Sequence, residues 1–203
     1  MHPNPAFRKP GLEQNLEFAR ARGFGTLSVA AAGQVVAAHV PFVMQGQVAY
    51  LHLARSNAVL QHPGPALLMV MGADGYVSPD WYGAPEQVPT WNYIAVHLRG
   101  MLEVLEPTAL RPHLAELSAR FEGPLEKPDW TMDKMDENSI LRMERMIVPV
   151  RLTVDDVQGT WKLSQNKTKA QRLGAADAIG ASHGHERDTL AELMRSPPYQ
   201  TEG

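Results

Sequence analysis

The sequence predicts a mainly β protein, a barrel or sandwich of six or seven short antiparallel strands with few helices between them. Three observations lead there. Alternation of apolar and polar residues with period two recurs from Phe24 to Val157. Turn residues punctuate the alternation at Gly33, Gln45-Gly46 and Gly159. Neither G-x-G-x-x-G after a strand nor G-x-x-x-x-G-K-[ST] occurs, so the nucleotide-binding α/β folds lack their usual support.

The first element is a predicted helix over Leu12 to Arg22, with Leu12, Leu16 and Ala19 on one face and Gly23 as its stop. Strands follow at Gly25 to Val29, Gln34 to Met44 and Gln47 to Ala54. Ser56 or Asn57 can cap a short helix through Gln61, which Pro63-Gly64-Pro65 breaks. Ala66 to Met71 reads as a buried strand, and Gly72 to Val88 as a loop of glycine, proline and aromatics. Trp91 to Leu105 is the clearest strand. It has Ile94, Val96, Leu98, Leu102 and Val104 on one face, Tyr93, Ala95, His97, Arg99 and Glu103 on the other, and a bulge expected at Gly100. Pro107 opens a helix to about Phe121, and an irregular stretch from Gly123 to Asp136 precedes a short helix ending by Met146. Ile147 to Val157 is the next strand, which Gly159 separates from Trp161 to Asn166. Helices are predicted at Lys167 to Ile179 and Arg187 to Arg195, then a disordered end, SPPYQTEG.

At 203 residues the chain favours one domain, read as 1–180 with a tail at 181–203. It has no cysteine, which excludes disulfides and thiolate chemistry and suits a cytoplasmic setting. No apolar h-region follows Met1, and the longest apolar run, Ala66 to Met71, is far too short for a membrane helix. A net charge of −3 gives no general reason to seek nucleic acid or an anionic membrane.

Four constellations carry chemistry or mimic it. In His52-Leu53-Ala54-Arg55-Ser56-Asn57 a strand ends where a short helix begins, so backbone N–H groups and an arginine meet at a corner suited to phosphate. An ordinary cap beside a solvated arginine is the plainer alternative. Five aromatics fall between Tyr76 and Tyr93, where they wall a planar ligand, fill an interface or cap a barrel end. Residues 162–172 carry four basic side chains and no acid, which suits a phosphate clamp, a nucleic-acid patch or a solvated helix start. His39, His52 and His97 lie on separate strands and make a zinc site only if they converge, and no metal is expected. No residue is marked as catalytic. The hard chemistry is left to a bound cofactor.

The segments His39-Val40-Pro41-Phe42, His52 to Asn57, Tyr76 to Tyr82, P-T-W-N-Y at 89–93 and W-K-L-S-Q-N at 161–166 occur in this order in the PaiB-type proteins, a family described as FMN-binding negative transcriptional regulators. The resemblance covers about Phe24 to Ile179. It implies a split β-barrel related to pyridoxamine-phosphate oxidase, homodimeric, with FMN at the subunit interface. By that analogy His39, Val40, Pro41 and Phe42 border the flavin ring, and His52, Arg55, Ser56 and Asn57 hold the phosphate. Trp91 and Asn92 belong to the same set, and Trp161, Lys162, Gln165 and Asn166 approach from the other subunit. An FMN-dependent oxidoreductase acting on a small molecule is the first alternative. A DNA-binding repressor using residues 162–172 is the second, although no helix-turn-helix is visible.

Overall fold

The computed structural model describes residues 1–199. Its helices are α1 (Leu12–Arg22), α2 (Leu110–Glu122), α3 (Glu137–Glu144), α4 (Lys169–Ala178) and α5 (Arg187–Arg195). Its strands are β1 (Phe24–Ala31), β2 (Gln34–Gln45), β3 (Val48–Ala54), β4 (Gly64–Val77), β5 (Thr90–Val104), β6 (Ile147–Lys162) and β7 (Gly184–His185). The strand order is β1-β2-β3-β6-β5-β4-β7, and β1 pairs with β4 as well. The first six strands therefore close into a barrel, the mainly β architecture predicted.

Two compact units divide the chain. One contains Leu16–Val70 and His97–Val157, the other Met1–Asn15, Met71–Val96 and Gln158–Gly203. The first unit holds β1, β2 and β3 entire and the greater part of β6, with the first half of β4 and the second half of β5. Antiparallel pairing sets Thr26 against both His39 and Met69, and Leu51 against Val150. Leu27, Phe42, Leu51, Leu68, Leu98, Leu102 and Leu152 fill the interior, almost wholly withdrawn from water. α1 ends where Gly23, at φ +58°, turns left-handed and its N–H reaches the Ala19 carbonyl. A Cβ at Gly23 would meet the Phe121 ring at 2.8 Å.

In the other unit α4 and α5 lie together, with Leu190, Met194 and Ile179 buried. The Arg172 guanidinium, itself buried, donates to the Met194 and Arg195 carbonyls at the end of α5, a C-terminal cap of favourable charge.

Two expected boundaries differ. β4 continues through Gly72 to Val77, where a loop is predicted from the glycines. Gly75 is needed there because a Cβ would press on Leu190 and Ile179 at 3.0–3.2 Å. Gly159 does not break β6; it lets the Asn15 side chain pack against the strand, with Oδ1 2.0 Å from where a Cβ would stand. The predicted bulge glycine, Gly100, is a point of close approach within β5, with the Thr153 carbonyl 1.9 Å from its Cβ position. Val104 is half-exposed and leaves the buried face assigned to it. His185 is held by Asp74 at 3.1 Å. In the predicted disordered end the Tyr199 hydroxyl accepts from Gln165 at 2.7 Å, and residues 200–203 lie outside the described residues.

Candidate functional site

The corner after β3 is built by register. Ala54 pairs with Ile147, the last rung of the β3–β6 ladder, so Arg55 emerges just past it with its N–H on the Met146 carbonyl. The guanidinium turns back. Nε donates to the Arg145 carbonyl at 2.7 Å and Nη2 to the Ile147 carbonyl at 3.2 Å. Two of five guanidinium N–H donors are thereby committed, and the plane of the fork is fixed with three left over. Ser56 is exposed beside it, and Asn57 accepts from the Val59 N–H to cap a 3-10 turn at Ala58–Gln61.

Arg55 borders a cleft of about 540 Å³ whose walls include Val104, Leu105, Leu110, Leu141 and Val148. The nearby Glu144 carboxylate is engaged by Arg111 at 2.9 Å, and Arg111 also holds Glu137 at 2.8 Å. Arg55 has no carboxylate partner among the described residues. An exposed arginine with a fixed fork, spare donors and a neighbouring hydroxyl matches a phosphate monoester. The donor set at this corner fits the phosphate of FMN.

The other predicted barrel residues separate by face. Val40 and Phe42 are in the core, so their side chains do not border a ligand outside the barrel; period-two geometry sends only His39 and Pro41 outward. His39 Nδ1 lies 2.9 Å from the Thr26 hydroxyl on the paired strand. His52 turns toward α2, where its Nδ1 meets His113 Nε2 at 3.1 Å. Burial, and then the neighbouring His52, lower the His113 pKa to about 4; burial also lowers His52. His113 carries no motif, and only its place on the inner face of a helix hints at the pairing. No group of three metal-ligating side chains forms among the described residues.

The second unit brings Asn92, Lys162 and Asn166 together around a cavity of about 180 Å³, with Tyr82, Ser164 and Lys167 also on its wall. Trp161 and Gln165 do not line it. The Trp161 indole, 5% exposed, donates to Asn15 Oδ1 at 2.9 Å. Gln165 donates to the Ala6 and Trp161 carbonyls and accepts from the Leu163 N–H. Both are committed within their own chain. Trp91 is exposed, with Tyr76 edge-on at 6.3 Å between ring centroids. Ser164 adopts φ +59°, which no sequence signal announced.

The basic segment does not form the exposed stripe that the DNA reading requires. Arg172 is buried, Lys162 and Lys167 are partly buried, and only Lys169 of the four is exposed. No helix among the described residues is long and apolar enough to cross a membrane.

A closed antiparallel barrel with a phosphate-competent corner defines a flavin-type split barrel. A family model described as "Putative FMN-binding domain" matches residues 1–156, and the chain belongs to that family, with FMN as its cofactor. The protease synthase and sporulation protein PAI 2 of Bacillus subtilis is 29% identical over 196 residues, covering 93% of each chain. Two solved structures share the fold. The FAD and heme binding protein of Mycobacterium smegmatis has a TM-score of 0.57 at 18% identity, over 77% of this chain and 73% of that one. The flavocytochrome Anf3 of Azotobacter vinelandii has a TM-score of 0.59 at 12% identity, over 80% and 72%.

Proposed function

We propose that this protein works as an FMN-dependent homodimer of the PaiB type, with the flavin phosphate at Arg55, Ser56 and Asn57 and the ring along the outward face of β2 at His39 and Pro41. The observation that carries the reading is the Arg55 fork, held by two backbone carbonyls with donors to spare. FMN, when bound, supplies one- and two-electron redox chemistry. The chain's own residues bind and orient it: Arg55 and Ser56 donate to phosphate oxygens, Asn57 fixes the turn beneath them, and the paired Thr26 and His39 stiffen the strand beside the ring.

A second copy as partner is supported by exposed apolar side chains on the barrel unit, among them Phe24, Met101, Val104, Met143 and Met146. Any regulatory role of the kind the family resemblance implies falls to the flavin-loaded dimer, since residues 162–172 offer one exposed cation.

Arg55→Ala tests the assignment. Loss of a charge-assisted contact costs about 1.5–3 kcal/mol, a tenfold to hundredfold weaker FMN complex. Riboflavin, which lacks the phosphate, should bind wild type and variant alike. Equal loss of both ligands would mean that Arg55 acts on the fold through Arg145 and Ile147, and the phosphate assignment would fail.

A further inference from the structure

The small cavity of the second unit has a wall chemistry that the flavin corner does not account for. Lys162 and Lys167 both line it. Each ammonium rests on neutral groups: Lys162 donates to the Thr90 hydroxyl and lies 5.7 Å from the centre of the Phe7 ring, while Lys167 donates to Gln87 Oε1 and lies 5.1 Å from that of Tyr82. No Asp or Glu lines the cavity, and neither lysine has a carboxylate partner among the described residues. Each ammonium has three donors, so spare N–H groups remain on both. Burial, and then the charge of Lys167, lower the Lys162 pKa. Two partly desolvated like charges with no counter-ion destabilise the empty site, and an anion would relieve them.

The polar wall is built behind the lysines. Asn92 is fully buried and donates to Ser164 Oγ at 2.8 Å and to Met194 Sδ at 3.4 Å, while its Oδ1 finds no protein partner. The Tyr82 hydroxyl meets the same Ser164 Oγ at 3.0 Å. Ser164 reaches both from a left-handed backbone that a serine seldom adopts. At about 180 Å³ the cavity has room for about six waters and falls short of the roughly 300 Å³ at which sites for drug-sized ligands begin.

We infer that this cavity is a second ligand site, for a small molecule bearing an oxyanion, which Lys162 and Lys167 bind by charge against the Asn92–Ser164–Tyr82 wall. Carboxylate and phosphate share that chemistry. The inference stands independently of the flavin corner.

Calorimetric titration of the FMN-loaded protein at low ionic strength with inorganic phosphate, and separately with lactate, tests it. Wild type should bind at least one of the two saturably, one per chain, with a rise in Tm as the anion is added. A response to phosphate alone assigns a phosphoryl group and a response to lactate alone a carboxylate, and either upholds the site. Lys162→Met and Lys167→Met should each weaken the bound anion tenfold or more, while Lys169→Met, outside the cavity, changes it less than twofold. The two lysine variants are independent, and the Tm rise is read on wild type, so one variant failing to fold leaves the test intact. Three results would overturn the inference: no saturable binding of either anion, equal weakening by all three substitutions, or phosphate binding by the flavin-free protein that is lost on loading with FMN, which would give the cavity to the flavin's own phosphate.

Discussion

At the scale of single residues, the most consequential pairing in the barrel unit is His52 with His113. The native fold keeps His113 neutral down to about pH 4, whereas the unfolded chain protonates it near its ordinary value of 6.5. Between those values the unfolded state binds the extra proton, so stability falls as pH falls from about 6.5 to 4. Thermal unfolding across that range should show a steep fall in Tm for wild type and a shallower one for His113→Leu. Parallel curves would remove His113 as the cause. The sequence marks His52 through its motif and His113 only by its place on a helix, because the pairing joins a strand to a helix sixty-one residues later. Side-chain direction was better encoded. The period-two pattern that places Val40 and Phe42 in the core was readable in the sequence, yet the family resemblance had assigned all four residues of that segment to the ligand.

At the scale of elements, strand and helix ends followed local chemistry closely. α1 and α5 have their predicted limits because Gly23 and Arg195-Ser196 end amphipathic runs that the residues themselves define. Gly75 and Gly159, both inside strands, were misread, since sequence alone does not tell a turn glycine from one that admits a neighbour. Gly75 admits Leu190 and Ile179, Gly159 admits Asn15, and Gly100 admits the Thr153 carbonyl. Of these, Gly100 faces backbone that cannot swing aside, so Gly100→Ala should cost about 2–3 kcal/mol by overpacking between β5 and β6. A denaturation midpoint within error of wild type would refute that. At α4, Thr168 accepts from the Gln171 N–H and the Gln171 side chain accepts from the Thr168 N–H, a reciprocal cap. Thr168→Ala should destabilise by about 1 kcal/mol, read from urea unfolding, and an unchanged midpoint would show that the cap adds nothing.

At the scale of the whole molecule, the order of motifs along the chain carried the family and the barrel, because alternation and turn residues survive in any reading of the sequence. The candidate site was only partly legible. Its phosphate corner follows from one strand end, but the lysine-lined cavity is assembled from the N-terminus, the residues before β5 and the end of β6, and Tyr82, Ser164 and Lys167 join it through folding alone. Light scattering should give the mass of two chains at micromolar concentration, and the mass of one chain would remove the dimer. Stoichiometric titration of the flavin-free protein with FMN, followed by quenching of flavin fluorescence and repeated with riboflavin, tests the central claim most directly. The account predicts saturation at one FMN per chain, two per dimer, with FMN bound at least tenfold more tightly than riboflavin. Non-saturable FMN binding, or equal affinity for the two flavins, would contradict it.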